Sequence, residues 1–165
     1  MARELSDAEQ AAALRDWPVA RFATLGKRGA HLVPVVFAEH EGLLWIPIDG
    51  KPKSSGQLMR IANIERDPRV TVLLDHYSVD WTELWWLRAE GVANVREGDT
   101  FGEQEKRAAD RLREKYQQYR TTRPFSDKPT LIRIEVERQR TWAVRDSPLT
   151  FAAERRDGSP GLTAD

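Results

Sequence analysis

Hydrophobic and polar positions along the chain change period several times, and each change marks an element. Ser6 followed by Asp7 and Glu9 reads as a helix cap with an acidic first turn, and Leu5, Ala8, Ala12 and Leu14 form a weak apolar stripe ahead of Pro18. A short N-terminal helix is predicted there. Val19 to Leu25 and Ala30 to Ala38 are β-branched, aromatic or small, and the glycine-bounded turn Gly26-Lys27-Arg28-Gly29 separates them, which predicts a hairpin. A second turn, Glu39-His40-Glu41-Gly42, leads into Leu43 to Asp49, so three antiparallel strands are expected in the first third of the chain. Pro34 and Pro47 within them mark edges or bulges, because proline has no N–H to give to a ladder.

The pattern then turns helical. Leu58, Ile61, Ala62 and Ile64 give Gln57 to Glu65 one apolar face, and Asp67-Pro68 ends it. Arg69 to His76 alternates as a strand, Glu83 to Val95 does the same, and Gly98 closes the pair. Between Thr100 and Arg120, Phe101, Ala108, Leu112, Tyr116 and Tyr119 fall on one side of a charged amphipathic helix. Thr130 to Val136 and Arg140 to Val144 are two further strands. The stretch 151–165 has little to bury and is expected to be a disordered or loosely attached tail on a domain spanning 1–150. Six to seven mostly antiparallel strands with two to three helices predict an α+β split barrel, not a parallel βαβ sheet, which excludes a Rossmann nucleotide site.

Composition narrows the partners. Lys and Arg number 26 and Asp and Glu 26, so no global field recruits nucleic acid or an anionic membrane, and any anion site must be local. Cysteine is absent, which removes disulfides, thiolate metal sites and cysteine nucleophiles and fits a reducing compartment. No apolar run has signal or membrane-span length, so a soluble cytoplasmic protein is expected. His31, His40 and His76 lack ligand spacing and no Ser-His-Asp pattern exists, so neither a metal nor a hydrolase is indicated. Six tryptophans exceed what a small core needs, and surplus aromatic area collects at interfaces and ligand sites.

The densest candidate chemistry is Lys51-Pro52-Lys53-Ser54-Ser55 running into a helix, where unpaired N–H groups, two ammonium groups and two hydroxyls make a phosphate cradle. A solvated turn with a serine cap explains the same residues. Arg60, one to two turns in, either reaches back to that anion or faces water. Trp85 and Trp86 must point to opposite faces of a sheet, and the outward one is expected at a dimer interface. Arg88, on the face of Trp86, contacts an anion or pairs with a surface carboxylate. Thr24 and Thr71 offer strand hydroxyls to a ring edge.

Val19-Ala20-Arg21-Phe22-Ala23-Thr24-Leu25, a glycine turn and His31-Leu32-Val33-Pro34-Val35-Val36-Phe37 resemble the opening of the pyridoxamine 5'-phosphate oxidase-like split-barrel flavoproteins. Lys53, Leu58 and Asp67-Pro68-Arg69-Val70 resemble that family's basic residue, leucine-bearing helix and strand entry, and Leu87 to Ala93 its later strand. The resemblance spans roughly residues 5 to 145 and is strongest to the actinobacterial branch that uses the deazaflavin F420 in place of FMN. It implies a homodimer with cofactor sites between subunits. The cofactor phosphate would be held near Lys51, Lys53 and Ser54, with Ser55 beside them, and the ring against strands bearing Thr24 and Val35; Lys51, Lys53, Arg60 and Arg88 would supply a cationic path for the acidic tail. The chain departs from the FMN oxidases at the arginine they carry before the helix and in their closing substrate-phosphate segment. The implied activity is hydride transfer between F420 and a small planar or conjugated acceptor. An FMN-dependent enzyme, or a protein that holds a flavin, deazaflavin or haem without turnover, is the alternative.

Overall fold

The computed structural model describes residues 1–48, 55–121 and 130–144, with the side chains at 55–58, 120 and 121 outside that description. Helix α1 (Asp7–Asp16) opens with a complete capping box. The Ser6 hydroxyl accepts from the Glu9 N–H at 3.3 Å, and the Glu9 carboxylate accepts from the Ser6 N–H at 2.7 Å. Just ahead, strand β1 (Ala2–Arg3) positions Arg3 to donate twice to the same carboxylate, at 2.7 and 2.8 Å. That guanidinium, joined by the Ser6 donors, holds the Glu9 carboxyl down to about 2 against the upward push of burial.

Strands β2 (Ala20–Gly26) and β3 (Gly29–Val35) form the expected hairpin around Lys27-Arg28, with Gly29 at a φ of 124°. The predicted continuation of β3 to Ala38 does not occur. The ladder stops at Val35, and Ala38–His40 is a separate strand, β4, whose partner is β5 (Leu43–Ile48). The turn between them is therefore only Glu41-Gly42, at φ 53° and 77°, the paired positive angles of a type I′ hairpin turn. The break has a visible cause. Phe37 is fully buried, and its N–H and C=O both bond the Tyr116 hydroxyl, at 3.1 and 2.9 Å, instead of a neighbouring strand.

Helix α2 (Ser55–Arg66) ends at Asp67-Pro68, whose aspartate accepts from the Arg69 N–H at 3.1 Å and from its guanidinium at 2.6 and 3.0 Å. This clamp turns the chain into β6 (Arg69–His76). A 3₁₀ turn at Trp81–Glu83 precedes β7 (Trp85–Glu97), and α3 (Glu103–Lys115), α4 (Gln118–Thr121) and β8 (Thr130–Val144) follow. The two strands expected after residue 130 are one. Its middle, Glu137 to Arg140, is polar because it is solvent-facing, yet it stays paired with β7 through a bulge: Glu90 faces Arg138 while Gly91 faces Val136.

The strands run in the order β3-β2-β6-β7-β8-β5-β4, with β1 on β8, and every pairing is antiparallel. This is the α+β split barrel that the pattern predicts, with eight strands among the described residues once β1 and β4 are included and β8 is whole. Inward residues such as Phe22, Leu44, Ile46, Val72, Leu74, Leu87 and Ile134 fill the barrel, and Leu5 and Ala13 of the N-terminal segment join them. On the outer side of β4 and β5, Trp45 packs against Ala108, Ala109 and Leu112 of α3 in a second cluster. Trp17 meets Trp85 edge to face at 4.7 Å between centroids and packs against the barrel core.

Candidate functional site

A pocket of about 280 Å³ opens where β3 ends, lined by Val19, Pro34, Val35, Val36, Pro47, Arg60 and Tyr119. Its position follows from the topology. β3 is an edge strand, and β5 pairs β4 only through Leu43 to Trp45, so Pro47 lies beyond that pairing. Pro34 and Pro47, both without an N–H, thus stand where the sheet is left open. The edges that the sequence attributes to these prolines are the two sides of one slot.

Its walls are mostly aliphatic, and its polar groups come from α2 and the α3–α4 corner. Tyr119 is held edge to face by Tyr116 at 5.9 Å between centroids. Tyr116 is itself fixed, with its hydroxyl 2.9 Å from the carbonyl oxygens of both Pro18 and Phe37. Burial pushes that hydroxyl well above its usual pKa, offset in part by the Phe37 N–H, so it remains a neutral donor. One phenol therefore pins the segments before β2 and after β3 that carry Val19 and Val36. Arg60 supplies a cation that stays charged at any physiological pH.

Of the residues singled out in the sequence, the structure brings Val35 and Arg60 together in this pocket. Lys51, Lys53 and Ser54 lie outside the described residues, and Ser55 opens α2 with its side chain outside them too. Thr24 is turned inward: its hydroxyl is buried and accepts from the Asn63 amide at 2.9 Å, a bond that docks α2 on β2. Arg88 is on the outer sheet face, 5.7 Å from the Trp86 ring centroid and 2.9 Å from Glu90, and does not line the pocket. Trp85 is buried and Trp86 half-buried on the opposite face, as alternation requires. Tyr119 and Pro47 were legible only as helix stripe and strand edge, because nothing local in the sequence says that the two meet.

An aliphatic slot with an arginine at its border fits a planar ring system carrying an anionic tail. None of the three histidines lines it, and among the described residues no group of His, Asp or Glu is arranged to hold a metal ion. No described helix is long and apolar enough to cross a membrane.

A family model described as pyridoxamine 5'-phosphate oxidase matches residues 6–143. Among solved structures, a conserved hypothetical protein from Mycobacterium tuberculosis is 27% identical with a TM-score of 0.66, over 86% of this chain and 87% of that one. The heme storage protein from Vibrio cholerae is 15% identical with a TM-score of 0.60, over 80% and 89%. An FAD-binding protein from Mycobacterium smegmatis is 16% identical with a TM-score of 0.57, over 84% and 97%. At these last identities the likeness is one of fold. No curated protein matches.

Proposed function

The chain belongs to the pyridoxamine 5'-phosphate oxidase family, and from that premise we propose that it is a cytoplasmic, homodimeric F420-dependent oxidoreductase acting on a small planar or conjugated acceptor. The observation that carries the reading is the slot between Pro34 and Pro47, aliphatic where a ring would lie and cationic at Arg60. F420, when bound, supplies hydride transfer as its own chemistry. The protein's share is orientation and exclusion of water. Val35, Val36 and Pro47 present dry surface to a ring, Arg60 attracts the acidic tail, and by sequence position Lys51 and Lys53 extend the cationic path while Ser54 and Ser55 add hydroxyl donors. Among the described residues the pocket holds no acid, base or nucleophile set that would run a reaction without a cofactor.

The homodimer is supported by the outer face of the sheet. Leu32 is 64% exposed there, and Trp86 lies directly opposite Trp142 on the neighbouring strand. Tyr77, Val79 and Trp81 project from the β6–β7 connection and are also largely exposed. Apolar area of this extent on a small domain marks a contact surface. FMN in the same slot is the runner-up cofactor, and a protein that holds a flavin, deazaflavin or haem without turnover is the other alternative.

Titration of cofactor-free protein with F420, FMN and haem tests the reading. Tightest binding of F420, weakened by added salt, is the expected result. Tighter binding of FMN transfers the assignment to a flavin enzyme, and binding of none removes the cofactor role.

A further inference from the structure

A second depression, sharing no lining residue with the slot around Arg60, runs between α1, the β4–β5 turn and α3, with a volume of about 950 Å³. Lys115, the last residue of α3, forms part of its wall. The lysine is seated on aromatic rings: its Nζ lies 3.7 Å from the Phe37 ring centroid and 5.6 Å from that of Tyr116. Nζ donates to the Leu14 carbonyl at 3.4 Å and, among the described residues, forms no ion pair.

The acids around it are already engaged. Asp16 of α1 is bonded to Arg15 at 2.7 Å, and Glu114 of α3 to Arg111 at 3.0 Å. At the turn, Glu39 accepts from the Gly42 N–H at 2.7 Å, while Glu41 lies 3.8 Å from His40 and accepts from Gln104 at 3.4 Å. An amine buried on rings without a contacting carboxylate loses hydration that no counter-charge replaces. Burial accordingly draws Lys115 down to about 7, with the field of Asp16 acting upward. The Phe37 face also favours the cation, but a neutral amine keeps both contacts, one N–H on the Leu14 carbonyl and one toward the ring. The result is an amine that reaches its neutral, nucleophilic form near pH 7 in the wall of an open groove.

We propose that Lys115 is a carbonyl-reactive amine and that its groove takes small uncharged or cationic aldehydes, held reversibly as an imine. The nitrogen lone pair adds to the carbonyl carbon, and the carbonyl oxygen then departs as water with the two hydrogens of the amine. A C=N bond replaces the C=O bond, with no electron gained or lost and no further reactant. The preference for uncharged or cationic aldehydes follows from the groove's charge. Four carboxylates line it against two guanidinium groups, each of which already has an acid partner. An anionic aldehyde enters against that field.

The experiment is competitive labelling of the full chain with limiting benzaldehyde and cyanoborohydride, which traps imines, followed by mapping of the modified lysines by mass spectrometry between pH 6 and 11. Lys27 and Lys106, both exposed, are standards within the same molecule. At pH 7, Lys115 is expected to label about tenfold or more faster than either, with an inflection near 7. Unfolding the protein in denaturant should erase the difference, Lys115→Arg should remove the fast peptide, and 4-formylbenzoate should label Lys115 more slowly than benzaldehyde does. Labelling of Lys115 no faster than the two standards, or with the same inflection as Lys115 in the denatured chain, overturns the reactive site. Equal rates for the charged and uncharged probes overturn its aldehyde preference.

Discussion

Arg60 and Glu9 show how much one side chain decides. If Arg60 attracts the acidic tail of the cofactor, Arg60→Met should weaken F420 binding by about 1–3 kcal/mol, the range for losing a charge-assisted hydrogen bond, while leaving the fold's circular dichroism unchanged. Calorimetric titration of the variant checks this, and unaltered affinity would take Arg60 out of the site. Glu9 bears on stability instead. Its folded pKa of about 2 lies below the ordinary carboxylate value of about 4.3, so its contribution is complete above the latter and is lost as pH falls toward the former. Thermal unfolding between pH 5 and pH 2 should therefore fall more steeply in the wild type than in Glu9→Gln, which carries no such titration. At this scale the sequence was a partial guide. The Ser6-to-Glu9 capping box is a local pattern and is realised, whereas Thr24 reads from the sequence only as a strand hydroxyl offered to a ring edge. Its hydroxyl accepts from the amide of Asn63, 39 positions away, a contact that no local pattern announces.

Elements legible from periodicity were those whose two faces differ. Arg69–His76 alternates and is found with those ends. The charged helix of α3 was legible for the same reason, its apolar stripe lying on Trp45. The failures are of another kind. β4 was hidden inside a longer apolar run because no pattern announces that Phe37 will give its backbone to Tyr116 rather than to a ladder. The division of β8 was suggested by a polar middle that is in fact a paired, bulged and exposed stretch. Gly91 opposite that bulge is the position where the element has least room, since an added Cβ would lie 2.0 Å from the Glu135 carbonyl oxygen. Gly91→Ala should cost about 1–3 kcal/mol or more of stability, because relief requires moving a strand backbone rather than a side chain. A lowered urea midpoint measures it, and an unchanged midpoint would mean that β7 and β8 part easily at the bulge.

For the whole molecule, the open face and the slot make one joint prediction. If Trp86, Trp142 and Leu32 lie between two copies, Trp86→Glu should yield a monomer by light scattering and also weaken cofactor binding, since the family resemblance sets the cofactor between subunits. A dimer that persists with undiminished affinity would separate the interface from this face. Lys51, Lys53 and Ser54, and the tail, lie outside the described residues, so the expectations for them stand on the sequence. A different consequence follows from β8. It pairs with β7 along its length, with β5 through Thr130 to Glu135 and with β1 at Ala143 and Val144. Three strands made earlier thus wait for the one that leaves the ribosome last among the eight. Until residue 144 has emerged, the inner edges of β5 and β7 have no partner, and the barrel's interior remains open to water. Closure is then a late, concerted event of long loop-closing contacts, slow by topology and exposed to wrong pairings between nascent chains, and the rate of translation through 130–144 becomes a determinant of yield.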